Sequence, residues 1–217
     1  MAVVDEAFAY ALPDTFDDAT VAPLLCSGII GYRSLQRAEL RDGGRLGIYG
    51  FGASAHLVAQ IALARGAEVH VFTRSPEARQ LALDLGVTSA GDSEAAPDAP
   101  LDAAILFAPV GDLVPVALRA LDRGGTLAIA GIHLTNIPSL DYSAELFQER
   151  QVRSVTANTR ADGEDLLALA EQIPLRPIIT TYGFEHVGDA LADVANDRLS
   201  GAAVIDVQPK SPEASGP

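Results

Sequence analysis

The stretch GIYGFGASAHLVAQIALARGAEVHVFTRS, Gly47 to Ser75, sets Gly50, Gly52 and Ala55 between an apolar run and a run with helical spacing. Leu46 to Tyr49 reads as a short strand and Ala53 to Arg65 as a helix stopped by Gly66. Val69 to Phe72 reads as the next strand. Together they form a βαβ unit of about 30 residues. In such a turn the first glycine permits the tight bend and the second lets backbone approach a pyrophosphate. The third small residue lets the helix pack closely on the strand. N–H groups at the helix start, over Ala53, Ser54 and Ala55, then face the phosphate, assisted by the positive end of the helix dipole. Glycine turns that serve only packing are common, but the strand before and the helix after supply the context that phosphate binding requires.

The same alternation extends outward. Asp17 to Ala38 has a mostly helical rhythm interrupted at Gly28 and Gly31, giving a kinked helix with Cys26 inside or beside it. Downstream, Pro76 starts a helix to Leu85, followed by a weak strand at Val87 to Ala90. The polar loop DSEAAPDAP, Asp92 to Pro100, stands as a shortened connection where a helix would be expected. Ala103 to Phe107 is a strand, Leu113 to Asp122 a helix, Gly124-Gly125 a turn, and Thr126 to Ile132 another strand. Val152 to Val155 and Ala161 to Gln172 supply a sixth strand and its helix. Apolar runs alternating with helices predict a doubly wound parallel sheet, an α/β fold of Rossmann type, over roughly residues 41–171. Ile178 to Val207, beyond Pro174 and Pro177, reads strand, helix, strand, and the tail QPKSPEASGP reads as disordered.

Composition narrows the partners. The 217 residues carry 29 acidic against 15 basic side chains, a net charge of −14 that opposes nucleic acid and anionic membranes. Cys26 is the single cysteine, which excludes an intrachain disulfide and fits a reducing cytoplasm. MAVVDEAFAYALPD has no secretory pattern, and no uncharged run approaches the roughly 20 residues of a membrane helix. Small molecules or proteins are the expected partners, in a soluble protein.

After the second strand, a dinucleotide fold specific for NAD places an acidic residue for the ribose hydroxyls. Phe72-Thr73-Arg74-Ser75 offers none. Thr73 and Arg74 instead suit a 2′-phosphate, Arg74 through charge and bidentate geometry, so NADP is expected, with NAD the alternative. The competing reading leaves Arg74 a solvated charge and Ser75 a helix cap. Ala108-Pro109 and Ile132-His133 end strands on the side where such sheets bind ligands, and His133 would face the crevice. His56 either approaches the pyrophosphate or packs at the helix start; His70 is structural; His186 has no assigned role. By composition Cys26 reads as a buried small hydrophobe, with no metal partners nearby in sequence. No Ser/His/Asp set or carboxylate pair favours hydrolysis, and no catalytic residue is identifiable.

LLCSGIIGYRSL, GIYGFGASAH, VHVFTRS, LDAAILFAPVG, GGTLAIAGIH, VRSVTANTRADGEDLL and LSGAAVIDV, in this order, resemble the zinc-dependent alcohol dehydrogenases of the medium-chain dehydrogenase/reductase superfamily. The resemblance runs from about Val3 to Val207. It implies hydride transfer between NADP(H) and an alcohol/carbonyl pair, with zinc polarising the oxygen. It gives Cys26 the place of the last protein ligand to catalytic zinc. The remaining ligands belong to a GroES-like catalytic domain that would precede Met1, so zinc is not expected to be retained here and activity of this chain alone is doubtful. The implied division is 1–18 as a catalytic-domain remnant and 19–176 as the dinucleotide-binding domain with its leading helix. Residues 177–208 form the return to the catalytic domain, and 209–217 a disordered tail. Homodimers paired edge to edge are also implied, the segment after Ile132 being the place to look. A non-catalytic dinucleotide-binding module, an S-adenosylmethionine-dependent methyltransferase and a zinc-free quinone reductase are the alternatives. Thr73-Arg74 argues against the methyltransferase, and Cys26 against the quinone reductase.

Overall fold

A sheet buried on both faces needs strands that are apolar throughout, and β1 (Arg45–Tyr49), β2 (Glu68–Phe72) and β4 (Leu101–Leu106) are buried at all positions except Arg45, Glu68 and Asp102. In the computed structural model, which describes residues 3–207, these strands are joined by β3 (Ser89–Gly91), β5 (Leu121–Ile129) and β6 (Gln151–Ser154). All five pairings are parallel and the order is β3-β2-β1-β4-β5-β6. This is the doubly wound Rossmann-type fold, with the strand order reversing between β1 and β4.

Helices cover the two faces unequally. α2 (Ser27–Ala38), α3 (Ala55–Ala64), α4 (Pro76–Asp84) and α6 (Arg160–Ala170) bury one face, on which Ile48, Val69, Val71 and Ile105 lie. α5 (Leu113–Ala120) covers the other, against Tyr49, Phe72, Leu106 and Leu127. No helix forms between Asp92 and Pro100, so the connection there is short, and Ala95 packs from it onto the α5 face.

Three sequence expectations are corrected. The interruption of the leading helix is not at the glycines: α1 (Asp18–Val21) passes into a 3-10 turn, and the break falls at Cys26, with φ −125° and ψ −77°. Gly28 and Gly31 lie inside α2 and are buried, serving close packing rather than interrupting the helix. The predicted Gly124-Gly125 turn lies within β5, where Gly124 has φ +71° and the register with β4 shifts. β5 then ends at Ile129, because Ala130 and Gly131 both donate to the Leu106 carbonyl and carry the chain out of the ladder. Ile132 and His133 therefore lie in a loop.

A second, two-stranded parallel sheet pairs β7 (Ile179–Gly183) with β8 (Ala202–Asp206), with α7 (Val187–Ala195) between them. The predicted disordered tail lies outside the described residues.

A Cβ on Gly31 would stand 2.8 Å from Val58 Cγ2 and 3.2 Å from the Ser54 carbonyl, so α2 touches the first turn of α3 through a bare backbone. Gly31→Leu is expected to cost about 1–3 kcal/mol of unfolding free energy in urea titrations. Gly188→Ala in α7, where a Cβ meets nothing within 4 Å, should instead gain a few tenths to about 1 kcal/mol.

Candidate dinucleotide site

β1 ends in a knot of hydrogen bonds. The Tyr49 carbonyl accepts from the N–H groups of Phe107 at 2.9 Å and Ala108 at 3.1 Å, while Gly50 N–H donates to the Phe72 carbonyl at 2.8 Å. The peptide after β1 is thereby tied to both neighbouring strands at the point where strand order reverses. Gly50 has φ +86°, and a Cβ there would lie 2.8 Å from the Ala108 nitrogen, so only glycine suits this position. Ala55 is fully buried where α3 meets the sheet.

Gly52 is exposed, and a Cβ built on it meets nothing within 4 Å, so the turn has open space over its backbone. Ala53 and Ser54 are half-buried beside it, at the start of α3. Bare backbone, open space and a helix N-terminus at the switch point fit the pyrophosphate of a dinucleotide. Across the crevice, Ala108 is half-buried and Pro109 exposed. Thr135 N–H donates to the Pro109 carbonyl at 3.3 Å, and Gly111 N–H to Thr135 Oγ1 at 2.7 Å, which draws the loop after β5 against the loop after β4. From that loop Ile132 and His133 are exposed, His133 with a left-handed backbone at φ +59°.

Beyond β2, Thr73 is buried and its N–H donates to the Gly91 carbonyl at 3.0 Å. Arg74 is exposed, with a guanidinium nitrogen 2.6 Å from an Asp197 carboxylate oxygen. Arg79 donates to the Thr73 carbonyl at 2.9 Å, and Ser75 caps α4 by accepting from Ala78 N–H at 3.1 Å. The structure thus places Gly50, Gly52, Ala53, Ser54 and Ala55 after β1 beside Ala108 and Pro109 after β4, with Thr73 and Arg74 past the end of β2.

Cys26 is exposed at the break before α2, where composition alone predicted a buried small hydrophobe; the change of backbone direction turns it outward. Among the described residues no group of three or more His, Cys, Asp or Glu side chains could hold a metal ion. A catalytic zinc needs three protein ligands, so the described residues by themselves do not fit that metal.

The sequence reading missed the attachment of α3. His56, fully buried, places Nδ1 3.2 Å from the Gly52 carbonyl, and its Nε2 accepts from Ile178 N–H at 3.0 Å. One turn on, Gln60 accepts from Arg176 N–H at 2.8 Å and donates to the Arg176 carbonyl at 3.0 Å. The four-residue spacing that puts both on one helix face was legible; their partners, more than 100 residues away, were not. With Nε2 accepting, the proton sits on Nδ1 and donates to Gly52. Burial pushes the His56 pKa below the ordinary 6.5, against weaker opposing effects of the Gly52 and Ala53 backbone. The unfolded chain therefore binds this proton at a higher pH than the folded one, so the stability held above about pH 6.5 is lost as the pH falls from there through the folded value. His70, also lowered by burial, acts in the same direction. Melting temperature should fall on acidification across this range, and His56→Ala, which removes both contacts, should cost roughly 2–4 kcal/mol in urea titrations and flatten that dependence.

Comparison with known proteins agrees with this geometry. Residues 53–172 match the zinc-binding dehydrogenase family model. A probable alcohol dehydrogenase AdhA of Mycobacterium tuberculosis is 59% identical over 202 residues, covering 93% of this chain and 58% of the relative. The cinnamyl alcohol dehydrogenase SbCAD4 of Sorghum bicolor superposes with a TM-score of 0.84 at 26% identity, over 98% of this chain and 62% of that one. A Helicobacter pylori CAD complexed with NADP(H) gives a TM-score of 0.75 at 25% identity, over 86% and 55%. The chain thus spans less than two thirds of the length of these relatives. With a family match over more than half of its residues, on a sheet whose switch point carries the glycine turn, the chain belongs to the zinc-binding dehydrogenase family.

Proposed function

We propose that this chain is the NADP(H)-holding portion of an alcohol dehydrogenase that interconverts a small alcohol and its carbonyl compound. The observation that carries the reading is the open backbone at Gly52, between the forced glycine conformation at Gly50 and the N-terminus of α3. The relatives named alcohol dehydrogenases and the NADP(H) complex of the Helicobacter pylori protein support it. Bound cofactor would supply or accept the hydride. The amides over Gly52 to Ala55 hold the pyrophosphate, Arg74 beside Thr73 takes the 2′-phosphate, and Ala108, Pro109, Ile132 and His133 line the nicotinamide end.

Cys26 contributes one ligand to a zinc site that the described residues do not complete. Turnover therefore needs ligands from a further segment, and residues 177–208 belong with that catalytic half. The second reading is a non-catalytic dinucleotide-binding module, which uses the same glycine turn without hydride chemistry; turnover with alcohols and aldehydes separates the two readings. The single cysteine fits a reducing cytoplasm, and the net charge of −14 argues against nucleic-acid and anionic-membrane partners; among the described residues no helix is long and apolar enough to cross a membrane. A homodimer would form at the β6 edge, near exposed Ile137, Tyr142, Phe147 and Val152. Val152→Arg should then shift sedimentation from dimer to monomer, while an unchanged dimer would place the contact elsewhere.

Calorimetric titration tests the cofactor. NADPH should bind more tightly than NADH, and Arg74→Ala should weaken NADPH about tenfold while leaving NADH nearly unchanged. An unaltered preference would remove Arg74 from the 2′-phosphate site.

A further inference from the structure

We propose that Asp197 sets the ratio of phosphorylated to unphosphorylated cofactor bound by this protein, by competing with the 2′-phosphate for Arg74. The proposal rests on the reading of Arg74 as the residue that receives that phosphate. Asp197 lies 123 residues beyond Arg74, in the turn between α7 and β8, yet its carboxylate oxygen stands 2.6 Å from the Arg74 guanidinium. Its placement is built into the turn: its N–H donates to the Val194 carbonyl at 3.3 Å and its backbone is left-handed at φ +53°. The neighbouring Arg198 is turned away, paired with Asp193 at 3.1 Å. The carboxylate offered to Arg74 is therefore not neutralised by the cation beside it in sequence.

No acidic residue directly follows β2 to read ribose hydroxyls, and the fold supplies a carboxylate to that neighbourhood from the C-terminal unit. A guanidinium presents a planar fork that matches a carboxylate or a phosphate. A 2′-phosphate must displace Asp197 from this fork or share it against like-charge repulsion. A ligand without the 2′-phosphate meets neither cost. Both side chains are largely exposed, 81% and 75%, so solvent screening keeps the penalty small. Asp197 thus lowers selectivity for NADP without abolishing it, and leaves NAD as a usable second cofactor.

Asp197→Asn removes the charge and keeps a residue type that tolerates the left-handed backbone, so the variant should melt like the parent. Calorimetry at low salt with adenosine 2′,5′-bisphosphate and adenosine 5′-monophosphate reads the effect without turnover. Asp197→Asn should tighten the bisphosphate about threefold and leave the monophosphate unchanged, and the gain should vanish in an Arg74→Ala background. No tightening, equal tightening of both nucleotides, or a gain that survives Arg74→Ala would overturn the proposal. Arg74→Ala alone separates the two layers. If it removes the preference for the bisphosphate while Asp197→Asn changes nothing, Arg74 still reads the phosphate and only the role of Asp197 fails. If it leaves that preference intact, the reading of Arg74 fails and the proposal with it.

Discussion

The carbonyl of Tyr49 accepts two N–H groups from the chain after β4, and the next N–H, that of Gly50, donates back to β2. This bifurcated junction fixes the chain where the strand order reverses, and it leaves no room for a Cβ at Gly50 beside the Ala108 nitrogen. From it the other features of the crevice follow. The turn must leave β1 with a positive φ, α3 must begin within a few residues, and the loops after β4 and β5 must frame the opposite wall. Packing and the proposed phosphate cradle share one backbone, because α2 touches α3 at Ser54 and Val58 through Gly31.

A second constraint holds this turn from behind. His56 and Gln60 tie α3 to residues 176–178, where the chain leaves the six-stranded sheet for the β7–β8 pair. The Arg74–Asp197 pair makes another connection between the same two parts. The glycine turn is thus joined to the C-terminal unit by hydrogen bonds of the buried His56 and the half-buried Gln60 at one place and by an exposed ion pair at the other. The contacts of the buried His56 set geometry and respond to acid, whereas the exposed pair is weak enough for a competing anion to displace.

Much of this was legible in the sequence because it is local. β1, α3 and β2 follow from an apolar run, a helical run and the glycines between them, and the six strands lie close to where the apolar segments stand. The errors share a physical origin. Gly28 and Gly31 looked like helix breakers because their reason for being glycine is a neighbouring helix, and the Gly124-Gly125 pair looked like a turn because a bulge in a strand uses the same residues. The strand after α5 was extended to Ile132 because apolar residues continue beyond the place where hydrogen bonding to Leu106 ends it. His56, Gln60 and Asp197 have partners more than 100 residues away, a separation that periodicity and motif spacing cannot report.

The central claim, that a dinucleotide pyrophosphate rests on the open backbone at Gly52, is tested most directly by titrating ADP-ribose into the parent chain and into Gly52→Val. Because a Cβ at Gly52 meets no protein atom within 4 Å, the variant should fold and melt as the parent does. The account predicts an unchanged melting temperature together with binding weakened by about ten- to a hundredfold, as the side chain occupies the phosphate position. Undiminished affinity in a normally folded Gly52→Val protein would contradict it.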